Sequence, residues 1–247
     1  MIEGWRRRRA PGPRRTGLSC ATLRPDGAWS LRLPDAGPSV WRRLLHRATV
    51  ELHGPLLASC PANLDPETAA TLSDAGFERI RQEVVWRLSL ARLRALPRVH
   101  TEHRLLPVTE VDLAEAAALD NRIRHDIPGT QAWTASAEEF RATLDDPEFD
   151  PALYRVARHP GTGSLDGLIR VWSRSPEPRL GCLGVTRPWR RTRLALALVQ
   201  DVARTLESRG VTHLVTETDT TNRDSHGMAA RLGGEVQNET VEWRRPA

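Results

Sequence analysis

The sequence predicts a fold of the α/β (α+β) class, in which a mixed sheet is flanked by helices. One observation is residues 181–199, where an apolar run, an arginine-rich turn and an apolar pattern of helical period follow one another. A second is that an early segment and the last segment share the order strand, helix, strand, helix, strand. A third is the length of 247 residues, which allows one large domain or two small ones.

The composition limits the function classes that fit this chain. All 36 basic residues are arginines and the formal net charge is +5, which we attribute to a coding bias toward arginine and not to a nucleic-acid surface. The cysteines at positions 20, 60 and 182 share no metal-ligand spacing, and no apolar run approaches the length of a membrane span. We therefore expect a cytoplasmic protein without a membrane partner or a nucleic-acid partner.

Residues 1–17 are predicted to be a disordered basic arm. Its arginine clusters are interrupted by Pro11 and Pro13, so a regular amphipathic element cannot form there. Such an arm can contact nucleic acid or acidic lipid, but a solvated tail is the simpler interpretation.

The next part, residues 18–90, is predicted to alternate strands and helices. Pro25-Asp26-Gly27 is a turn signal, so Cys20–Leu33 is expected to form a hairpin. Ser39 is expected to cap a helix whose apolar residues fall on one face. A strand, a second helix and a strand that ends near Leu88 complete this part.

Residues 91–103 are a basic connector and are predicted to link this part to a complete domain, residues 104–247. In that domain the expected order is strand, two helices, three strands, helix, strand, helix, strand. A capping box at Ser136 and Glu139 marks the start of the second helix. The third of the consecutive strands ends at Val185, directly before the arginine-rich turn.

A repeat connects the two parts. Residues 76–86 align without a gap with residues 233–243 and match at one glycine, one glutamate, one valine and one tryptophan. Two unrelated strands that both end in tryptophan are the alternative. Where the second copy has its arginines, the first has the acidic loop Leu33–Pro38, whose prolines lack amides and whose carboxylate repels anions. We expect the first copy to be structural and to bind no polyanion.

The turn after Val185 predicts an anion-binding site. The amides in the first turn of a helix have no intrahelical partners, and the helix dipole adds partial positive charge there. Three arginines, Arg190, Arg191 and Arg193, strengthen this field. The preferred ligand is therefore a polyanion, and a solvated basic helix start is the alternative.

The same residues resemble the acetyl-coenzyme A signature of the GCN5-related N-acetyltransferases. In that family a strand ending in valine, a proline and an aromatic residue precede Arg/Gln-x-x-Gly-x-Gly/Ala at a helix start, and here they are Val185, Pro188, Trp189 and residues 190–195. Arg193 stands where the family has its central glycine, and its side chain either crowds the phosphates or acts as a further cation. The resemblance implies the acyl-coenzyme A N-acyltransferase fold, with a mostly antiparallel sheet, and acetyl-coenzyme A as cosubstrate.

The resemblance also implies which residues hold the coenzyme. Asn222 and Ser225, at the head of the last helix, would lie against it, although Asn222 is equally suited to capping that helix. The tyrosine that protonates the leaving thiolate in many members falls on Ala229. The rest of the implied set is Leu183, Gly184 and Val185 for the pantetheine arm, and Arg190, Arg191, Thr192, Arg193, Leu194 and Ala195 for the pyrophosphate.

Two carboxylates are candidates for the catalytic base. Glu217 is on the strand that borders the acceptor cleft, and Asp126 is in the loop between the first two helices of the domain. In so arginine-rich a chain, each is also a natural salt-bridge partner. His125 and His226 are weaker candidates, and no cluster has metal-ligand spacing, so no metal is expected. Aromatic residues that would form either walls of the acceptor pocket or parts of the core are Trp133 and Trp172.

The sequence thus predicts an acetyl-coenzyme A dependent N-acetyltransferase that acts on a small-molecule amine, as a monomer or a homodimer. It resembles the tandem, two-domain members of the family, with a degenerate and incomplete first copy. A protein of this fold that binds without turnover is the alternative, suggested by Arg193, Ala229 and the eroded first copy. A nucleic-acid-binding protein, which rests on charge alone, is a third hypothesis. The acceptor is not predicted, because the loops that select it carry no specific motif.

Overall fold

The computed structural model describes residues 6–7, 20–24 and 26–247, and for Arg6, Arg7 and Cys20 the backbone alone. The chain has two compact units, the first of residues 1–84 and 238–247 and the second of residues 85–237. The predicted basic arm lies outside the described residues, apart from a two-residue strand, β1 (Arg6–Arg7).

The first unit contains a sheet covered by two helices. Its order of strands is β1-β2-β3-β4-β11-β5, where β5 and β11 contribute only the parts that belong to this unit. β2 and β3 are antiparallel, whereas β3 and β4 are parallel. The elements are β2 (Cys20–Leu23), β3 (Trp29–Arg32), α1 (Pro38–Glu51), β4 (Leu56–Pro61), α2 (Pro66–Asp74), β5 (Glu78–Ser89) and β11 (Glu235–Arg245).

The predicted hairpin is confirmed, and the predicted helix cap is wrong by two residues. Gly27 has φ of 78° in the turn between β2 and β3, a conformation that glycine adopts without strain. Helix α1 begins at Pro38 after Gly37, not after Ser39. Proline suits this first helical position because its φ is already helical and its missing amide would have no partner there.

The core of the first unit lies between its helices and its sheet. Trp41, Leu45 and Ala48 of α1 are spaced three and four residues apart and are buried together. Trp29 and Trp243 of the sheet belong to the same cluster.

From β6 to β11 the elements follow the predicted order, and those from β6 to α7 belong to the second unit. β6, β7, β8 and β9 pair with one another in antiparallel fashion, and β9 pairs with β10 in parallel. The order of strands is β5-β10-β9-β8-β7-β6. The sheet is therefore mixed and mostly antiparallel. The elements are α3 (Leu90–Ala95), β6 (Arg104–Pro107), α4 (Leu113–Arg124), α5 (Ala137–Ala142), β7 (Tyr154–Arg158), β8 (Leu165–Trp172), β9 (Arg179–Val185), α6 (Leu194–Ser208), β10 (His213–Asp219) and α7 (Arg223–Arg231).

Two apolar clusters hold this unit together. One joins α6 to the sheet through Leu198, Val202 and Leu206, which pack with residues such as Ile169 and Val171 of β8. The other joins α4 and α5 to the sheet through residues such as Leu119, Ile123 and Phe140, packed with Leu168. Alternate residues of β8 thus point to opposite helices, as the pleat of a strand requires.

The predicted linker at residues 91–103 lies inside the second unit and contains most of α3. Leu90 and Leu93 of this helix are fully buried in the α6 cluster, and Ser89 caps the helix. The division of the chain into residues 18–90 and 104–247 remains a prediction.

Two cysteines of the described chain are free and buried, Cys60 and Cys182. Burial raises the pKa of Cys60 to about 12 and also raises the pKa of Cys182, so both thiols stay neutral and unreactive near neutral pH. Across the residues that the structure describes, every helix is too short or too polar to cross a membrane.

Candidate functional site

The site is built around the place where β9 and β10 separate. These parallel strands pair at two positions only, Arg179 with Val215 and Leu180 with Thr216. β9 continues to Val185 and keeps its pairing with β8 on its other side. The edge of β9 that faced β10 therefore has free backbone groups beyond Leu180, and a ligand can pair with them.

Two glycines of β9 allow close packing beside this open edge. Gly181 has no opposite residue in β8, and a Cβ there would lie 2.7 Å from Trp172 Nε1. At Gly184 a Cβ would lie 2.4 Å from Ile123 Cγ2, so α4 reaches the strand only because this residue has no side chain. The sequence signal for both, two glycines in a buried strand, was present in the pattern Gly-Cys-Leu-Gly.

The turn after β9 ends at a helix start without a cap. Helix α6 has 15 residues, no acidic residue in its first turn and no side-chain cap at Arg193. No described residue accepts a hydrogen bond from the amides of Ala195 and Leu196, while Thr192 Oγ1 accepts from the Leu194 amide at 3.2 Å. These amides and the helix dipole favour an anion at this point.

In the turn, the residue with left-handed backbone is Arg191 and not Arg193. Arg191 has φ of 62°, in the left-handed region, whereas Arg193 has φ of −88° and ψ of 7°. The position of the family's central glycine therefore needs no glycine for its backbone here. The side chain of Arg193 is exposed and does not fill the turn.

The buried carboxylate of Asp166 binds the residue that precedes the turn, and the sequence did not predict this role. Asp166 accepts hydrogen bonds from His103 Nε2 at 3.2 Å, Ser164 Oγ at 3.1 Å and Thr186 Oγ1 at 3.4 Å. The ring of His103 packs edge-on against Trp189, with 4.4 Å between ring centroids. Thr186 and Trp189 flank the start of the turn, so this cluster fixes its position. No sequence motif connects these residues.

Two predicted site residues, Arg190 and Asp126, are bonded to each other. Arg190 Nη2 donates to Asp126 Oδ2, and Arg187 lies 3.5 Å from the other oxygen of the same carboxylate. Arg190, predicted to bind the phosphates, and Asp126, a predicted base, therefore neutralise each other's charge in this structure. An incoming phosphate would compete with Asp126 for Arg190.

The second predicted base is also paired. Glu217 accepts from Arg179 Nε at 3.0 and 2.7 Å through its two oxygens, and Arg179 Nη2 lies 2.5 Å from Oε2. Arg179 pairs in register with Trp172, and a Cβ at Gly181 would lie within 3.6 Å of both side chains. Glu217 therefore lies at the separation of β9 and β10, directly after the last paired residue of β10, and it is held by an arginine.

The head of α7 has the geometry of an ordinary cap. Asn222 Oδ1 accepts from the Ser225 amide at 3.2 Å, which is compatible with contact to a ligand as well. Ala229 stands at the position of the tyrosine that protonates the thiolate in many family members. It is 3% exposed, and no described tyrosine side chain takes that place. Tyr154 is 1% exposed, and burial raises its pKa, so it is a poor proton donor.

The weaker candidates have structural surroundings. His226 packs against Trp86, with ring centroids 5.0 Å apart, and its Nδ1 lies 3.4 Å from Thr218 Oγ1. His125 is the C-cap residue of α4 and is exposed. Trp133 is partly exposed and carries the guanidinium of Arg124 over its ring at 5.2 Å.

A buried charge cluster on the α4 side of the sheet was also missed. Arg170 of β8 pairs in register with Cys182 of β9, one step from the separation of β9 and β10. Its guanidinium lies over the rings of Tyr154 and Trp172, and Asp120 of α4 is nearby. An arginine inside the apolar run Leu-Ile-Arg-Val was the available sequence signal.

Comparisons with known proteins agree with this geometry. A model of the acetyltransferase (GNAT) family matches residues 122–234. A GCN5-related N-acetyltransferase from Sphaerobacter thermophilus is similar in structure, with a TM-score of 0.71 at 17% identity over 92% of this chain and 76% of that one. A tandem GNAT protein from the clavulanic acid biosynthesis pathway has a TM-score of 0.65 at 18% identity, over 89% and 75%. A GCN5-related N-acetyltransferase from Kribbella flavida has a TM-score of 0.61 at 16% identity, over 89% and 81%.

No curated protein matches the sequence. At these identities the structural neighbours show a shared fold. The family model covers the elements that build the site, from the end of α4 through β9, the arginine-rich turn and α6 to the residues after α7. The predicted fold class is confirmed. Residues 122–234 thus match the acetyltransferase (GNAT) family, whose members are acyltransferases, and the solved structures show that the chain shares their fold.

Proposed function

We propose that this chain is an acetyl-coenzyme A dependent N-acetyltransferase that acts on the amine of a small molecule. The observation that carries the proposal is the separation of β9 from β10 directly before the uncapped start of α6. An open strand edge and an anion-binding turn follow each other in the chain. A long thioester with a diphosphate at its far end needs both, in that order.

The residues present fit this ligand. The amides of Ala195 and Leu196 have no partner among the described residues, and the exposed arginines 191 and 193 add positive charge. The open edge of Leu183, Gly184 and Val185 suits the amide groups of the pantetheine arm. Asn222 and Ser225 would lie against the coenzyme from α7. When bound, acetyl-coenzyme A supplies the acetyl thioester, whose C–S bond is exchanged for an N–C bond to the acceptor.

The chain must also take a proton from the acceptor, because only an uncharged amine is nucleophilic. Glu217 is the better of the two predicted bases, since it lies at the separation of β9 and β10. Hydrogen bonds from Arg179 to both of its oxygens hold the carboxylate in place. Asp126 can act as a second base only when Arg190 leaves it to bind a phosphate. The departing thiolate needs no strong acid, because a free thiol has a pKa of about 8.5.

A protein that binds the coenzyme without turnover is the second candidate function. Ala229 in the tyrosine position and the pairing of both predicted bases with arginines favour it. We also propose that residues 18–90 are an incomplete, structural copy in a tandem arrangement, linked by residues 91–103 to the domain at 104–247. A cytoplasmic location and a monomeric or homodimeric state are part of the same proposal.

Titration of the full-length protein with coenzyme A by calorimetry tests the proposal, followed by turnover of acetyl-coenzyme A with a library of primary amines. Saturable binding together with amine-dependent release of coenzyme A is expected. Binding without release by any amine would favour the second candidate. The absence of binding would contradict both.

A further inference from the structure

Arg170 is a buried arginine from which none of the described residues accepts a hydrogen bond. The residue is 6% exposed, and its Nε is enclosed and unbonded. Its guanidinium carbon lies 4.9 Å from the centroid of the Trp172 ring and 5.2 Å from that of Tyr154. The single ion pair that the described residues offer is Nη2 to Asp120 Oδ1, and it is 3.9 Å long.

Asp120 does not compensate Arg170, because its carboxylate is already engaged. Oδ2 accepts from Arg124 Nε at 2.5 Å, and Oδ1 accepts from the Tyr154 hydroxyl at 3.4 Å. The remaining neighbours, Tyr154 and Cys182, are neutral because burial raises the pKa of each. The cluster therefore holds two cations and one anion, a net charge of +1 inside the protein.

Such an arrangement is costly without a further partner. Buried polar groups in proteins are almost always hydrogen-bonded, and a buried charge needs an opposite charge close to it. A guanidinium has five donors in a planar fork that matches a carboxylate with two parallel hydrogen bonds. The missing partner of Arg170 is thus an anion with this geometry.

Arg170 also lies in the right place to meet an acceptor. A row of neighbouring residues leads from it to the predicted base. Arg170 lies over the ring of Trp172, Trp172 pairs in register with Arg179, and Arg179 donates to Glu217. Along β9, Arg170 is opposite Cys182 and only two positions from Gly184, a rise of roughly 7 Å. The indole N–H of Trp172 has no acceptor among the described residues either, so two neighbouring donors lack a partner here.

We propose that Arg170 binds the carboxylate of the acceptor, and that the substrates are therefore amino carboxylic acids. This inference rests on the proposed acetyl transfer. An amine a few bonds from the carboxylate would reach the free edge of β9 while the carboxylate stays on Arg170. Trp172 and Tyr154 flank the guanidinium and keep it in one orientation.

Matched acceptors test the inference in the full-length protein. Glycine, β-alanine, 4-aminobutyrate and phenylalanine are each compared with the carboxamide of the same compound, by kcat/KM for release of coenzyme A and by the shift in melting temperature without coenzyme. At least one acid is expected to exceed its amide by about tenfold or more, since a hydrogen-bonded charge pair is lost in the amide. Equal kcat/KM and equal thermal shifts for every pair would overturn the inference.

Variants locate the effect. Arg170→Gln is expected to abolish the preference for the acid while coenzyme A affinity stays unchanged, and Arg170→Lys is expected to keep part of it. Arg141→Gln, an exposed arginine of α5, is the matched control and should keep the wild-type preference. A preference that persists in Arg170→Gln would also overturn the inference. If Arg170→Gln does not fold, the wild-type comparison and Arg170→Lys decide.

The two proposals fail in different ways. Acetylation of acids and amides with equal efficiency leaves the proposed function intact and removes the role of Arg170. No binding of coenzyme A removes the proposed function, while carboxylate-dependent stabilisation that is lost in Arg170→Gln would still support the anion site.

Discussion

Helix α2 in the first unit and helix α7 in the second end in the same way. Gly76 and Gly233 follow these helices with φ of 81° and 76°. In each case the glycine amide and the next amide bond back to carbonyls of the last turn, Phe77 to Leu72 at 3.0 Å and Gly234 to Ala229 at 3.0 Å. This is a helix end that glycine makes possible without strain. The tryptophans that close both aligned segments are equally buried, at 6% and 7%.

The corresponding strand–helix starts differ. β3 has four residues and pairs with β4 at three positions, whereas β9 has seven and pairs with β10 at two. After β3, Pro34 O accepts from Trp41 Nε1 at 2.9 Å, and Pro38 opens α1 without an amide. After β9, the Ala195 and Leu196 amides of α6 have no acceptor among the described residues. The two segments are thus similar at their helix ends and buried tryptophans, which pack in the core. They differ at the strand–helix start, where a ligand would bind.

The largest expected difference between the two segments is in coenzyme binding, because only the second segment should bind coenzyme A. Because β3 stays paired with β4, and because Pro38 supplies no amide at the start of α1, titration with coenzyme A should give one equivalent per chain. Calorimetry measures this number directly. Two equivalents would remove the difference between the segments.

Gly184→Ala is expected to have the next largest effect. The added methyl group would overlap Ile123 Cγ2 at 2.4 Å, and overpacking of this kind costs about 1–3 kcal/mol of unfolding free energy. Coenzyme A affinity should fall as well, because β9 must shift. Urea unfolding and calorimetry measure the two effects. As a control, Gly227→Ala places its methyl group 3.6 Å from the flexible end of Arg231 and should not destabilise the protein.

Arg190→Ala should weaken coenzyme A binding by about tenfold or more, since a charge-assisted contact to phosphate contributes roughly 1.5–3 kcal/mol. Asp126→Asn should have the opposite sign, because it frees Arg190 from its ion pair. Arg32→Ala removes an exposed arginine at the end of β3 and should leave affinity unchanged. An unchanged affinity in Arg190→Ala would move the phosphate site elsewhere.

Arg193→Gly should have a smaller effect, about two- to fivefold, because an exposed charge at a helix start contributes about 0.3–1 kcal/mol. We expect affinity to fall, since Arg193 is exposed and its backbone does not need glycine. Measurements at two salt concentrations separate the explanations. The loss should be greatest at low ionic strength; a gain in affinity would mean that Arg193 obstructs the turn.

The smallest effect concerns a feature that both units share, a carboxylate at a helix start. The Thr68 hydroxyl and amide lower the pKa of Asp65 below its usual 3.8, and the Ser136 amide and hydroxyl lower the pKa of Glu139 below 4.5. Both contributions are therefore present above the usual pKa values and are lost as pH falls through the lowered ones. Asp65→Ala and Glu139→Ala should each flatten the loss of stability below about pH 4, measured by circular dichroism. An unchanged pH profile in both variants would show that the caps do not contribute.

The local signals of this chain were sufficient to predict its elements. The period of α6, the capping box at Ser136 and the turn at Gly27 depend on neighbours within a few residues, and the structure confirms all three. The signature after Val185 was readable for the same reason, because a strand, a turn and a helix start are contiguous. Ser39 failed as a cap since Pro38, one residue earlier, is already suited to the first helical position.

Tertiary structure alone decided which charges meet. Arg190 and Asp126 are 64 residues apart in sequence, Arg179 and Glu217 are 38 apart, and with 36 arginines no rule of spacing selects a partner. The uncompensated charge of Arg170 is visible only once β8, α4 and β9 are packed together. Sequence determines a helix or a turn through short-range geometry, whereas ion pairs and a strand separation depend on register and packing across the sheet.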